Sequence, residues 1–225
     1  LEESSAAVVK SLRGVLGFPV TPFRSDLSLD LDALERNVAA MVSHPFCAVV
    51  AAGGAGELYS LTPDEIEQVT RVTVQATAGR MPVMAGTGFN AAIGADIARR
   101  AEKAGADAIL ALPPYYTNAP ESGLFAYYEA IGRASGLPLL VYSRDWAVFS
   151  PQQVAQLADR IPTLAGWKDG QGVARKYRRI METVGDRLAW ATTARRSTSP
   201  SACRPTHPAF RTSRRASRWP WPKPD

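Results

Sequence analysis

Short apolar runs alternate with amphipathic helical patterns from residue 14 to residue 190, and that alternation predicts an α/β fold. The runs begin near 15, 47, 82, 107, 137, 163 and 187, a rhythm close to the ~31 residues per unit of a ~250-residue barrel with eight βα units. A doubly wound open sheet would alternate in the same way, but its phosphate-binding turn G-x-G-x-x-G stands at none of these strand-to-helix junctions. The fold class predicted is therefore a TIM (β/α)8 barrel, here incomplete, with six to seven βα units traceable in 225 residues.

Each element has its own signal. Residues 14–20 are apolar and strand-like until Pro19 and Thr21-Pro22 break them. Leu31, Leu34, Val38 and Met41 then recur at helical spacing with charges between them. A second strand, 47–52, is followed by Thr62-Pro63-Asp64-Glu65, which opens a helix with a cap, a proline at the first helical position and a capping-box glutamate. Strand 82–86 leads to a helix that carries Ile93, Ile97, Ala101 and Ala104 on one face and stops at Gly105. Strands 107–112, 137–142 and 163–168 precede helices of about 120–135, 151–160 and 173–184. A seventh strand starts at Arg187-Leu188-Ala189-Trp190.

The domain division expected is a leader over 1–13, a partial barrel over 14–190 and a basic tail over 191–225. The net charge of +5 belongs to that tail, because residues 1–190 carry 18 basic against 20 acidic side chains. Its arginines, with Trp219 and Trp221 near them, could hold nucleic acid only through salt-sensitive charge contacts, so no specific nucleic-acid partner is expected. The tail has no periodicity and reads as disordered, or as a gene read in a shifted frame. No run approaches the ~18 apolar residues of a membrane span, so no membrane partner is expected. Two cysteines, Cys47 and Cys203, and no secretory leader fit a reducing cytoplasm. With His44 and His207 the only histidines and no Cys-x-x-Cys, a zinc site or a histidine-based triad has almost nothing to be built from, and no metal or other cofactor is expected.

Of the five lysines, at 10, 103, 168, 176 and 223, Lys168 alone ends a strand, within Ala165-Gly166-Trp167-Lys168-Asp169-Gly170. Reactive groups gather at the carboxyl ends of barrel strands. The lysine either serves chemistry there or sends its ammonium to water or to Asp169. Gly53-Gly54-Ala55-Gly56-Glu57 follows the second strand and reads either as an anion cradle of backbone amides or as a tight turn that needs positive φ. Tyr115 and Tyr116 follow the fourth strand, and Tyr142-Ser143-Arg144-Asp145 ends the fifth. Alternation points Tyr142 into the barrel mouth, where it could shuttle protons or simply pack. Arg144 could clamp a carboxylate or pair with Asp145. Taken together, a strand-end lysine, an anion cradle and tyrosines suggest imine formation with a 2-keto acid, which requires the lysine pKa to fall from ~10.4 to near 7–8.

The segments Gly17-Phe18-Pro19-Val20-Thr21-Pro22-Phe23, Gly53-Gly54-Ala55-Gly56-Glu57, Pro114-Tyr115-Tyr116, Val141-Tyr142 and Gly166-Trp167-Lys168-Asp169-Gly170 resemble the dihydrodipicolinate synthase and N-acetylneuraminate lyase superfamily. Ser60-Leu61-Thr62-Pro63-Asp64-Glu65, Leu112-Pro113-Pro114-Tyr115-Tyr116-Thr117-Asn118 and Tyr142-Ser143-Arg144-Asp145 are most similar to its 5-dehydro-4-deoxyglucarate dehydratase group. The resemblance covers about residues 14–190. It implies a class I aldolase type of barrel that assembles as a homo-oligomer, a tetramer or dimer, and acts on a small keto sugar acid. Lys168 would form the imine, Tyr142 would shuttle protons, Tyr116 would complete a relay, Gly53, Gly54, Ala55 and Gly56 would hold the keto-acid carboxylate, and Arg144 would bind substrate. Dehydration and decarboxylation to 2,5-dioxopentanoate would follow, a step of glucarate or galactarate catabolism. A pyruvate-dependent aldolase of the same superfamily, or an inactive relic that only binds, are the alternative readings. Two positions depart from the group: Ala55 stands where a hydroxyl residue is usual, and Ser143 where asparagine is. Residues 191–225 resemble no seventh and eighth unit, so the pocket residues that follow those strands have no counterpart here.

Overall fold

The computed structural model describes residues 12–115 and 118–192. Seven strands form one sheet in the order of the chain, β1 Val15–Gly17, β2 Phe46–Ala51, β3 Val83–Thr87, β4 Ala108–Ala111, β5 Leu139–Ser143, β6 Leu164–Asp169 and β7 Ala189–Thr192. All six pairings are parallel. Helices α1 Leu31–Met41, α2 Pro63–Thr77, α3 Ala91–Lys103, α4 Glu121–Gly132, α5 Pro151–Arg160 and α6 Ala174–Val184 connect successive strands. A doubly wound sheet reverses its strand order at a switch point, whereas this one advances one strand at a time, as a barrel does. Among the described residues, β1 and β7 are the edges.

Local chemistry fixes the helix starts. Thr62 accepts from the Glu65 amide while the Glu65 carboxylate accepts from the Thr62 amide, and Ser150 and Gln153 do the same at α5. Asp30 and Asn90 cap α1 and α3. The strand bounds differ from expectation where backbone chemistry intervenes. β1 ends at Gly17, two residues before Pro19, which has no N–H for a ladder. The 187 start gives way to a 3₁₀ turn over Gly185–Arg187, which delays β7 to Ala189.

Residues paired across parallel strands share a face, so register defines the barrel interior. One row holds Val50, Met84 and Ala108. The next holds Gly86, Leu110, Leu140 and Gly166. Above it, nearest the carboxyl ends, come Tyr142, Lys168 and Ala191. The other face puts Ile109, Val141 and Trp167 against Phe125, Tyr128, Phe149, Val154 and Leu157 of the helical layer. Gly86 and Gly166 are required by close approach: a Cβ on Gly86 would collide with the Ala52 carbonyl, and one on Gly166 would lie 2.6 Å from Leu140 Cγ. A register shift lets Leu139 pair with Leu164 but Leu140 with Gly166, leaving Ala165 as an extra residue on β6. That bulge is what sets Lys168 opposite Tyr142.

Candidate active site at the carboxyl ends of the strands

Lys168 is 4% exposed. Its stem rises from the interior row of β6, and its Nζ lies 3.0 Å from the centroid of the Tyr142 ring and 5.7 Å from that of Phe18. Burial pulls its pKa down to about 7, and the charge of Arg144 adds to the fall; Asp169 pulls the other way. The two ring faces also favour the cation, yet at this depth desolvation dominates. The amine is therefore neutral for a substantial fraction of molecules near pH 7.

Tyr142 is held where it is by two neighbours. Gly170 packs beneath its ring, since a Cβ there would stand 2.7 Å from Tyr142 Cε2 and 2.8 Å from Arg144 Cβ. The Arg144 guanidinium lies 5.5 Å from the Tyr142 ring centroid, and its Nε donates to the Asp145 carboxylate at 2.7 Å. That hydrogen-bonded ion pair, with the charge influence of the neighbouring Tyr142, holds the Arg144 pKa above the ordinary arginine value. Arg144 is partly exposed. The loop after β6 is closed by Asp169, which accepts from the amides of Gln171 and Gly172, and by the Gly170 amide, which donates to the Ser143 carbonyl.

The glycine turn lies across the mouth. Gly53 and Gly56 are buried, whereas Gly54 and Ala55 are exposed at its tip. A Cβ on Gly53 would meet the Phe18 ring at 2.9 Å, and one on Gly56 would meet the Pro19 carbonyl at 3.2 Å. Thr21 is buried, and its hydroxyl donates to the Gly56 carbonyl at 2.7 Å. Phe18 thus touches the turn on one side and faces the Lys168 amine on the other. Tyr59, in the 3₁₀ turn Leu58–Ser60, donates to the Pro113 carbonyl at 2.7 Å, and Trp146 donates to that of Pro114 at 2.9 Å. These bonds tie the loops after β2, β4 and β5 together. Burial pushes the Tyr59 phenol up to about 12, so it stays protonated at neutral pH.

Lys168 and Arg144 are thus both brought to the Tyr142 ring, with Gly53 joined to the lysine through Phe18. Tyr116 lies outside the described residues, as do residues 1–11, Thr117 and 193–225, where most of the expected tail falls. From the sequence, Phe18, Thr21 and Gly170 have no role beyond their place in the segments that carry the resemblance, and Asp169 only that of an ion partner for the Lys168 ammonium. Phe18 stands just before Pro19 and Thr21 between Pro19 and Pro22, and their contacts are with residues ~35 or more positions away, which no local pattern displays.

Seven parallel strands in chain order with alternating helices define a β/α-barrel protein, here an incomplete barrel, with a buried lysine near the carboxyl end of its sixth strand. The family model for the dihydrodipicolinate synthetase family matches residues 11–199. The chain belongs to the dihydrodipicolinate synthetase family. It is 45% identical over 177 residues to a probable 5-dehydro-4-deoxyglucarate dehydratase of Bradyrhizobium diazoefficiens, and 44% identical over 177 residues to a protein of the same name from Methylobacterium radiotolerans. Each match takes in 79% of this chain but only 56% and 58% of the relative, so the chain spans little more than half the length of those proteins. Among solved structures, dihydrodipicolinate synthase from Aquifex aeolicus superposes with a TM-score of 0.75 at 25% identity, over 80% of this chain and 62% of that one. The chloride-inhibited enzyme from Acinetobacter baumannii in complex with pyruvate gives 0.74 at 29% identity, over 80% and 63%.

Proposed function

We propose that this chain carries the imine-forming half of a lyase site, with 5-dehydro-4-deoxyglucarate as substrate. The observation that carries the reading is the Lys168 amine, 4% exposed with its pKa pulled down to about 7 at the mouth of the sheet. A neutral amine adds to the keto carbon, the Nζ–C bond forms, and the keto oxygen departs as water after taking two protons. The protonated imine withdraws electrons from the adjacent carbon, whose proton becomes acidic. Loss of a hydroxyl as water and then of carbon dioxide leaves the product as its imine, and water adds to that carbon, breaks the Nζ–C bond and releases 2,5-dioxopentanoate with the free amine. Tyr142, in contact with both the amine and Arg144, moves the proton that the departing oxygen needs. The exposed backbone of Gly54 and Ala55 receives the carboxylate beside the keto group, and Arg144 takes the distal carboxylate of the diacid. Tyr116 completes the relay. The names of the relatives support the substrate, and the pyruvate bound in the Acinetobacter enzyme supports the 2-keto acid class. No helix among the described residues is long and apolar enough to cross a membrane. A cytoplasmic location is proposed on the scarcity of cysteine, two in 225 residues. We infer a homo-oligomer, for which the exposed Tyr115 and Trp146 beside the mouth supply apolar surface.

Borohydride reduction in the presence of pyruvate should add the mass of a reduced pyruvyl group to the Lys168 peptide and to no other. Labelling at another lysine, or none with the fold intact by circular dichroism, overturns the proposal. With 5-dehydro-4-deoxyglucarate, release of carbon dioxide identifies the dehydratase, whereas release of pyruvate identifies an aldolase of the same family.

A further inference from the structure

The glycine turn does not hold itself in place. Its internal hydrogen bonds run from Glu57 N to Gly54 O at 3.2 Å and from Leu58 N to Gly53 O at 3.3 Å, both at the long end of the range. Two of its residues, Ala52 and Glu57, have positive φ without being glycine, at 47° and 57°. What fixes it from outside is the segment just after β1. The Phe18 ring seats against Gly53, the Pro19 carbonyl against Gly56, and the buried Thr21 hydroxyl donates to the Gly56 carbonyl at 2.7 Å across 35 residues of sequence. None of these contacts involves Gly54 or Ala55, which remain exposed at the tip. The same Phe18 ring faces Lys168 Nζ at 5.7 Å.

The structure assigns Phe18 and Thr21 as positioning residues that gauge the separation between the Lys168 amine and the glycine turn. This inference rests on the proposed reading of the site. In a 2-keto acid the carboxylate and the carbon that the amine attacks are adjacent atoms, so cradle and nucleophile must be set relative to each other to within a fraction of a bond length. A turn free to shift is less preorganised and holds the carboxylate less tightly in that position. Thr21 acts through Gly56 and touches neither substrate nor amine. It anchors the turn, while Phe18 is the spacer. Thr21 is not among the groups that shift the Lys168 pKa, which are its burial, Arg144 and Asp169.

The test is borohydride trapping of pyruvate on the full chain as a function of pyruvate concentration and pH, with amide hydrogen exchange in parallel. In Thr21→Val the half-saturating pyruvate concentration should rise about tenfold, the usual scale for a lost buried hydrogen bond. Trapping at saturation, and its pH midpoint near 7, should not move. Thr21→Ser should restore wild-type half-saturation. Exchange of the 54–58 amides should accelerate in the valine variant while that of β6 does not. An unchanged half-saturation with unchanged exchange overturns the inference, as does equal loss in valine and serine variants. If wild-type Lys168 takes no label, the imine reading fails by itself, and the exchange pattern still decides whether Thr21 holds the turn.

Discussion

At the scale of single residues, the site turns on how closely Tyr142 is pressed onto Lys168. The residue beneath the tyrosine ring is Gly170, and the space left for a Cβ there is 2.7 Å from Tyr142 Cε2 and 2.8 Å from Arg144 Cβ. Both obstructing groups belong to the candidate machinery. Gly170→Ala should therefore push the ring off the amine and lower the trapping rate by ~10-fold or more, because oriented contact is lost. The far-ultraviolet spectrum should stay unchanged, since Gly170 follows the last residue of β6. Trapping at the wild-type rate would show that Tyr142 does not assist imine formation. That Lys168 is the chemically distinct lysine is legible in the sequence, because only it ends a strand. What lowers its pKa is not legible: it is burial, with the charge of Arg144 from the loop after β5, in an environment that only folding assembles.

At the scale of elements, the seven strands and six helices follow from periodicity, caps and breakers, with errors of a few residues at their ends. The β6 bulge has no such signal. Ala165-Gly166 reads as ordinary strand, and only the glycine hints that another chain comes close. Yet the bulge decides which β5 residue faces the lysine, since without it Lys168 would pair with Ser143. Leu140 fills the space above Gly166, so the two residues hold the two strands in this phase. Gly166→Ala should destabilise the protein by ~1–3 kcal/mol through overpacking. Leu140→Ala alone should cost ~2–5 kcal/mol through the cavity it opens. In the double variant each change relieves the other, and the loss measured by urea denaturation should be smaller than the sum of the single losses. Additive losses would mean that Leu140 and Gly166 do not share one space.

At the scale of the whole molecule, the buried lysine couples the chemistry to global stability. Below about pH 7 the amine is protonated in both the folded and the unfolded chain, and the fold carries a buried cation. Between about 7 and the ordinary lysine value of 10.5, the unfolded chain binds a proton that the folded one does not. Stability from this group therefore rises with pH across that window, with a slope of at most ~1.4 kcal/mol per pH unit, and levels off above it. Other groups titrate in the same range, so the diagnostic quantity is a difference between two proteins. Lys168→Met keeps the stem and deletes the charge. It should be more stable than the wild type at pH 6, and its advantage should shrink steadily as pH rises to 9, measured by denaturant titration at each pH. An advantage that does not change with pH would show that Lys168 is not held neutral by the fold. A shrinking advantage together with loss of borohydride labelling would establish that the strain of burying this amine and its reactivity have one physical source.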